Sequence, residues 1–219
     1  MLALARAIPG HDRNVRSGRW DRLPGVELHG QTLGLIGFGK IGREVARRAH
    51  AFGMRIVYRD PVEAVGEQQA ASTDLESLLA VSDVVSLHLP LTPETRHLVD
   101  ARALKRMKPT AFLVNTARGG LVDESALEGA LREGWIAGAA ADVFEREPPG
   151  ASTLLSLDNF VATPHAGGAT RQAVLRMGLE AAENALAVLR GERPKHVANP
   201  DVYAHPRWRT AAARGEIRP

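Results

Sequence analysis

Five polar side chains fall at or just beyond the ends of short apolar runs in this sequence. They are Asp60, His88, Arg118, Asp142 and His165. The guanidinium of Arg118 can hold a planar carboxylate by two parallel hydrogen bonds and stays charged throughout. An imidazole such as that of His165 can give a proton to a forming alkoxide and take it back in reverse. A solvated surface arginine and a structural histidine are the alternatives.

Glu147 lies in the loop Glu145 to Pro149, shortly before His165 in the chain. A carboxylate there could orient the imidazole of His165 and stabilise its protonated form. A plain loop acid explains the same residues equally well. The residues alone therefore leave the role of Glu147 open.

A glycine motif with the spacing GxGxxG follows an apolar run and consists of Gly37, Gly39 and Gly42. In a strand–turn–helix unit the first glycine makes a tight turn, the second lets the backbone approach a pyrophosphate, and the third allows close packing. The helix N-terminus then offers unpaired N–H groups to the phosphates. A second apolar run, at 55–59, ends at Asp60, where such a unit places the acceptor for the ribose hydroxyls. The pattern predicts dinucleotide binding, and a turn that serves only the fold is the alternative.

The elements that must position these residues alternate between strands and helices. Apolar runs predict strands at 33–36, 55–59, 84–89, 111–114, 135–141 and 160–162. Helical spacing predicts helices at 40–52, 74–80, 101–107, 123–132 and 170–189, with a turn or short helix at 92–98. This alternation predicts an α/β fold with a doubly wound parallel sheet, the Rossmann architecture, and flanking helices at both ends. Because ligands of such sheets bind outside the carboxyl ends of the strands, we expect one shared cleft.

Two helices carry more detailed expectations. The predicted helix at 40–52 has apolar residues spaced to form one buried face. That face consists of Ile41, Val45, Ala49 and Phe52. A helix at 2–8 is expected to be interrupted by the dipeptide at 9–10, Pro-Gly, and the polar stretch at 11–18 could resume it.

The composition is that of an ordinary globular protein, with 44% of the 219 residues apolar and 24% charged. The absence of cysteine excludes disulfides, thiol catalysis and a thiolate metal site, and no metal site is expected. A net charge of +3 with scattered arginines disfavours nucleic-acid binding. No apolar run has the length of a membrane span, and the first residues lack the basic segment of a signal peptide. We therefore expect a cytoplasmic protein without a membrane partner.

Five collinear segments resemble the D-2-hydroxy-acid dehydrogenases, the family of the phosphoglycerate, hydroxypyruvate and glyoxylate reductase relatives. They are LGLIGFGKIGREVA, VSLHLPLTPETRHLVD, LVNTARGGLVDESAL, AADVFEREPP and TPHAGGAT. The resemblance implies that Arg118 binds the substrate. It also implies that Glu147 and His165 form the family's carboxylate–histidine pair, and that Asp142 lies near the nicotinamide amide.

The resemblance further implies an NAD site. Its residues would be Gly37, Phe38, Gly39, Lys40, Ile41, Gly42, Asp60, His88, Leu89, Pro90, Thr95, Thr116, Ala117, Arg118, Asp142, His165 and Gly167. A carboxylate at Asp60 would repel the 2′-phosphate of NADP and so favours NAD, although the neighbouring Arg59 could accept that phosphate. The implied partners are a small 2-keto or 2-hydroxy acid and a second copy of the chain, in a homodimer formed through the cofactor domain.

Members of the family carry a substrate domain ahead of the cofactor domain, whereas the first twenty residues here resemble the helix that follows it. Met1 would then occupy a position that is internal in the family. The resemblance implies a linking helix at 1–22, the dinucleotide-binding domain at 23–168 and a helix at 169–190 that packs toward the substrate domain. The tail at 191–219 is rich in proline and arginine and is expected to be extended or partly disordered; its residues after 200 have no counterpart in the family.

Three functions are compatible with these residues. The first is an oxidoreductase domain that exchanges hydride between a nicotinamide and C2 of a 2-keto or 2-hydroxy acid. The second is a dinucleotide-binding module without turnover, and the third is a corepressor-type regulator of the same family. Arg118, Glu147 and His165 favour an enzymatic ancestry without separating it from the third. We expect the 219-residue chain to bind dinucleotide but to turn over 2-keto acids poorly, because closure over the substrate needs a second domain.

Overall fold

A computed structural model of the chain describes residues 1–62 and 70–206. Within these ranges one sheet of seven parallel strands runs in the order β3-β2-β1-β4-β5-β6-β7. The strands are β1 Thr32–Ile36, β2 Arg55–Arg59, β3 Ala70–Ser72, β4 Val84–Leu87, β5 Phe112–Asn115, β6 Gly138–Ala141 and β7 Phe160–Ala162. The order reverses between β1 and β4, so the predicted α/β, doubly wound parallel sheet is confirmed.

The helices connect the strands and mostly begin at a capping side chain. They are α1 Leu2–Ala5, α2 Ile8–Arg16, α3 Lys40–Ala51, α4 Leu75–Val81, α5 Ala101–Arg106, α6 Glu124–Glu133 and α7 Arg171–Leu189. The side chains of Asp74, Asp100, Asp123 and Thr170 each accept a hydrogen bond from a first-turn N–H group of α4, α5, α6 and α7, respectively. Such caps satisfy backbone donors that a helix start leaves unpaired. None of the described helices is long and apolar enough to cross a bilayer.

Two buried apolar clusters lie on the two faces of the sheet. Leu113 of β5 belongs to the cluster that includes residues of α4, α5 and α6, whereas the next residue, Val114, belongs to the cluster that includes residues of α3. Successive side chains of a strand point to opposite faces, so one short strand supplies both clusters. The sheet is therefore covered on both sides, as an all-parallel sheet requires.

The predicted interruption of the first helix at Pro9-Gly10 is wrong. Both residues lie inside the first turn of α2, and the break comes earlier, at Ala7, whose φ of +48° is left-handed. A proline in the first helical turn costs nothing, because its missing N–H would have no partner within the helix. The dipeptide therefore starts a helix here instead of ending one.

The predicted buried face of the helix at 40–52 is correct at Ala49 and wrong at its two ends. Ile41 is 68% exposed and Phe52 is 46% exposed, while the buried residues of α3 are Gly42, Ala46 and Ala49. The helical period was correct, but small residues and not the largest ones face the sheet. This lets the helix axis approach the sheet closely and turns Ile41 outward, at the start of α3.

The remaining differences are at element ends. The predicted strands at 84–89 and 135–141 are shorter, and the stretch at 92–98 forms turns without a helix. Strand β3 was missed because its residues, Ala-Ala-Ser, are small and only partly buried. Edge strands of this kind carry little apolar pattern.

The chain forms two compact units, Met1–His165 and Ala166–Pro219. The described part of the second unit contains α7, none of whose side chains is buried, and a short 3₁₀ turn at Pro200–Ala204. The predicted tail at 191–219 lies partly outside the described residues, from 207 onward. The segment limits at 22, 168 and 190 stay predictions.

Candidate active site and dinucleotide groove

The glycine loop joins the end of β1 to the start of α3, and its three glycines have different surroundings. Gly37 has a φ of +94°, and a Cβ added there would lie 2.4 Å from the carbonyl oxygen of His88. A Cβ at Gly42 would lie 2.5 Å from the Gly37 carbonyl oxygen. Gly39, the residue before α3, has no other atom within 4 Å of such a Cβ. Two glycines are thus required by packing, and the third leaves open space at a helix N-terminus, where a phosphate binds favourably.

Asp60 ties this loop to the end of β2. Its Oδ2 accepts a hydrogen bond from the Phe38 N–H at 2.7 Å, and its Oδ1 accepts one from the Val62 N–H at 2.9 Å. The ring of Phe38 stacks on Tyr58 with 4.1 Å between centroids. The guanidinium of Arg59 donates to the carbonyl oxygen of Asp60 at 2.8 Å. The carboxylate is therefore fixed beside the glycine loop, and each oxygen keeps a second lone pair for a ribose hydroxyl.

A groove of about 550 Å³ begins where the strand order reverses. It is lined by Ile41, His88, Leu89, Pro90, Leu91, Thr116, Ala117 and Arg118. These residues come from the start of α3 and from the carboxyl ends of β4 and β5, the position at which doubly wound sheets bind their ligands. Leu91 was missed by the sequence analysis, because an apolar loop residue gives no chemical signal.

His88 is held in this groove by both its backbone and its ring. Its N–H donates to the Ile36 carbonyl oxygen at 2.7 Å, and its Nε2 shares a 2.9 Å hydrogen bond with the Ser86 hydroxyl. Burial lowers the pKa of His88 from 6.5 to about 4, because the charged imidazolium loses its hydration. His88 is therefore neutral at physiological pH and lines the groove as a hydrogen-bonding group without charge.

This neutral histidine should make the folded state sensitive to mild acid. The folded-state pKa of His88 is lowered to about 4, so between pH 6.5 and 4 the unfolded chain binds the extra proton and stability falls as the pH falls. From pH 7.5 to pH 5 the loss from this one residue is expected to be about 2 kcal/mol. Urea unfolding of wild type and His88→Gln at both pH values measures it. An equal pH dependence in the two proteins would contradict the assignment.

Arg118 follows β5 on a short loop that Asn115 organises. Asn115 is 4% exposed; its Nδ2 donates to the Arg118 carbonyl oxygen at 2.9 Å, and its Oδ1 accepts from the Ala117 N–H at 3.0 Å. The guanidinium itself is exposed and donates to the Ala117 carbonyl oxygen at 2.6 Å. Sequence reasoning missed Asn115, although a polar amide directly after a buried apolar strand is a signal that could have identified it.

The next residue, Gly119, has no room for a side chain. A Cβ there would lie 1.9 Å from the carbonyl carbon of Phe144 and 2.4 Å from the Glu145 backbone nitrogen. The loop that carries Arg118 thus packs directly on the backbone of the segment that leads to Glu147.

Glu147 and His165 form a hydrogen-bonded pair. Glu147 Oε2 is 2.8 Å from His165 Nδ1, and Glu147 Oε1 accepts from the Phe144 N–H at 3.0 Å. The hydrogen bond from His165, followed by that from Phe144, holds the pKa of Glu147 below its ordinary value. An ionised carboxylate only accepts, so Nδ1 carries a proton and Nε2 is the atom free to exchange a proton with a substrate. The pair borders a second cavity of about 550 Å³, whose other lining residues are Phe144, Pro148, Pro149, Leu155, Ala162, Thr163 and Pro164.

Asp142 connects the two parts of the site. It is 6% exposed and accepts a hydrogen bond from the Thr163 hydroxyl. Its backbone N–H donates to the Asn115 carbonyl oxygen at 2.9 Å, and its carbonyl oxygen accepts from the His165 N–H at 2.8 Å. Backbone hydrogen bonds therefore join Asp142, after β6, to the end of β5 and to His165, after β7. The end of β5 leads into Arg118.

The other predicted positions have simpler surroundings. Thr95 donates from its hydroxyl to the Pro90 carbonyl oxygen at 2.8 Å and so fixes the turn beyond the groove. Lys40 is exposed at the first position of α3, and Thr116 is exposed in the groove. Gly167 belongs to the second unit, and its part in cofactor binding stays a prediction. Among residues 1–62 and 70–206, no three histidine or carboxylate side chains are grouped as metal ligands would be.

Comparison with known proteins gives a consistent assignment. Residues 1–167 match the family model of the D-isomer specific 2-hydroxyacid dehydrogenase, NAD binding domain. A glyoxylate reductase of Korarchaeum cryptofilum is 47% identical over 212 residues, which are 92% of this chain and 64% of that protein. This chain thus spans slightly less than two thirds of that relative's length.

Solved structures agree with the match. A D-lactate dehydrogenase with NAD⁺ from Lactobacillus jensenii superposes with a TM-score of 0.82 at 30% identity, covering 90% of this chain and 65% of that one. An acyclic imino acid reductase (Bsp5) in complex with NADPH and D-Arg gives 0.79 at 31% identity, covering 87% and 62%. The match over residues 1–167, which include the groove and the Glu147–His165 pair, shows that the chain belongs to the D-isomer-specific 2-hydroxyacid dehydrogenase family, as its NAD-binding domain.

Proposed function

We propose that the chain is the cofactor domain of an oxidoreductase that exchanges hydride between a nicotinamide and C2 of a 2-keto or D-2-hydroxy acid. The Glu147–His165 pair carries the proposal, because it is an acid–base pair with its proton position fixed. His165 follows β7, two strands from the β5 end that leads into Arg118.

The residues of the groove fit a dinucleotide. The space beside Gly39 is open to the approach of a pyrophosphate, and the start of α3 presents backbone N–H groups. Asp60 supplies carboxylate oxygens for the adenosine ribose. Bound there, the nicotinamide coenzyme supplies or accepts the hydride; the chain supplies placement and charge.

Three side chains would then act on the substrate acid. The guanidinium of Arg118 binds the substrate carboxylate and, by its fixed fork geometry, sets the plane of the neighbouring carbonyl. His165 donates a proton from Nε2 to the C2 oxygen in reduction and takes it back in oxidation. Glu147 holds Nδ1–H and offsets the charge of the imidazolium.

We expect tighter binding of NADH than of NADPH, by at least about tenfold, because the Asp60 carboxylate would repel a 2′-phosphate. A solved relative binds NADPH, so the family alone does not decide this preference. Calorimetric titration of both coenzymes against wild type and Asp60→Ala is the measurement. The ratio of NADH to NADPH affinity should be smaller in Asp60→Ala than in wild type. If wild type bound NADPH more tightly than NADH, the proposal would be refuted and the 2′-phosphate would be assigned to Arg59.

For the 219-residue chain we expect saturable NADH binding and keto-acid reduction near background. The dinucleotide groove lies within Met1–His165, whereas hydride transfer needs the substrate held at about 3–3.5 Å with water excluded. Calorimetry with NADH and an absorbance assay with glyoxylate and other 2-keto acids test both halves. Failure to bind NADH would overturn the proposed function. A turnover number in the usual enzymatic range would show that this chain holds the substrate and excludes water by itself.

We also propose that the chain pairs with a second copy through its first unit. Trp20 is 78% exposed, Val15 56% and Ile8 53%, and all three lie near the N-terminus of that unit. Large side chains of this kind are costly to leave in water and are enriched at the centres of interfaces. Sedimentation of wild type and Trp20→Ser should show a dimer that weakens in the variant; a monomeric wild type would exclude it.

A further inference from the structure

The loop that carries Arg118 and the loop that carries Glu147 lie on either side of the Glu145 carboxylate. The proposed chemistry does not use this carboxylate. Its Oε1 accepts a hydrogen bond from the Glu124 N–H at the start of α6, at 3.2 Å. The Glu145 N–H in turn donates to the Glu124 carboxylate at 2.7 Å. The same Oε1 is 3.1 Å from His97 Nε2, and Oε2 is 3.7 Å from Arg96 Nη2. With 28% of its side chain exposed, Glu145 makes these contacts in a partly shielded place.

On one side, the network reaches the segment that follows Arg118. The His97 N–H donates to the Gly120 carbonyl oxygen at 2.8 Å, and the Val99 N–H donates to the Leu121 carbonyl oxygen at 3.0 Å. His97 Nε2 is buried and, among the described residues, lacks a partner with hydrogen-bond geometry, although Glu145 Oε1 lies 3.1 Å from it. The backbone of His97 and Val99 is thus hydrogen-bonded to the residues after Arg118, and the His97 ring lies against Glu145.

On the other side, Glu145 directly follows the residue that orients Glu147. The Phe144 N–H donates to Glu147 Oε1 at 3.0 Å, and the Phe144 carbonyl carbon packs against Gly119 so closely that no Cβ would fit. The backbone at 144–145 is thus in contact with both loops. Fixing Glu145 fixes the peptide group between them.

We propose that Glu145 is a positioning residue that sets the Glu147 carboxylate relative to the loop of Arg118. The proposal rests on the proposed function for the roles of Glu147 and Arg118, and it gives Glu145 no contact with the substrate. A carboxylate is suited to the task, because its two oxygens can face different partners. Oε1 accepts from the N-terminus of α6 and lies near His97, and Oε2 lies near Arg96.

Amide hydrogen exchange followed by NMR tests the coupling in the chain as it stands. In Glu145→Ala, the Glu124 amide loses its acceptor and should exchange faster whatever the role of Glu145. If Glu145 positions the loops, the Phe144 and Ala117 amides should also exchange faster, by at least about tenfold relative to the core amide of Leu113. These two amides report the acceptors Glu147 Oε1 and Asn115 Oδ1, respectively.

Two further variants make the result decisive. Glu145→Gln keeps an oxygen for the Glu124 N–H but loses the charge, so Phe144 and Ala117 should accelerate by about threefold. It is also the measured variant if Glu145→Ala does not fold. Glu76→Ala, which removes an exposed carboxylate 3.5 Å from Arg106, should leave both amides unchanged. Wild-type rates at Phe144 and Ala117 in the Glu145 variants would overturn the proposal and reduce Glu145 to a cap of α6.

NADH titration of the same proteins separates this proposal from the function it rests on. Glu145 does not line the dinucleotide groove, so Glu145→Gln should bind NADH within about twofold of wild type. A wild type that does not bind NADH would refute the proposed function while the exchange result stands. Weakened NADH binding in Glu145→Gln would show a general disturbance of the unit and overturn the positioning role.

Discussion

Replacing Gly39 by aspartate should abolish measurable NADH binding while leaving the fold as stable as before or more stable. Gly39 precedes α3 with an extended backbone (φ −75°, ψ −160°), and α3 has no side chain that caps its N-terminus. Aspartate is a preferred residue at that position and would contribute roughly a few tenths of a kcal/mol more than glycine by accepting from a first-turn N–H. The same carboxylate would occupy the open space beside Gly39 in which we place the pyrophosphate. Juxtaposed like charges cost about several kcal/mol.

The measurement is NADH calorimetry together with urea unfolding. We expect a loss of affinity of at least about a hundredfold in Gly39→Asp. Gly39→Asn, which has nearly the same shape without the charge, should bind with intermediate affinity. If Gly39→Asp binds NADH as wild type does, the diphosphate does not approach the glycine loop, and the placement of the cofactor is wrong.

Gly119→Ala should destabilise the first unit by about 3 kcal/mol or more. The added Cβ would lie 1.9 Å from the Phe144 carbonyl carbon, and because the obstructing atoms are backbone, a rotamer change cannot relieve the overlap. The loops of Arg118 and Glu147 would be forced apart. Urea unfolding gives the change in stability.

Gly129→Ala is the matched control. Gly129 lies in the interior of α6, and nothing lies within 4 Å of a Cβ added there. The substitution should stabilise the protein by about 0.5–1 kcal/mol, because alanine restricts the unfolded chain and suits a helix interior. The same chemical change thus has opposite signs at two positions. A neutral Gly119→Ala would mean that the two loops are not in contact in solution.

Features that depend on the pattern of residue types along the chain could be predicted from the sequence. Alternating apolar runs and helical spacing predicted the parallel sheet, because each strand must be buried on both faces and each connection must cross over it. The glycine spacing and the Asp60 position were readable for the same reason: the strand–turn–helix unit fixes their separation along the chain.

Features that depend on contacts between distant segments could not be predicted from the sequence. Whether small or large residues of α3 face the sheet depends on how closely the helix approaches it, and Ile41 was assigned to the wrong side. Glu145 has ordinary sequence surroundings, and its importance arises from its partner at the start of α6. Glu147 was ambiguous until its bonds to His165 and Phe144 were visible.

The reversal of strand order between β1 and β4 divides the site into two parts that can be altered separately. Asp60 follows β2 on one side, whereas the residues assigned to the substrate follow β5, β6 and β7 on the other. Substitutions that share no partner are usually additive in free energy. Under the proposed function, substitutions at Asp60 and at the substrate residues are therefore expected to combine additively, so variants selected for coenzyme preference can be joined with variants selected for the bound acid.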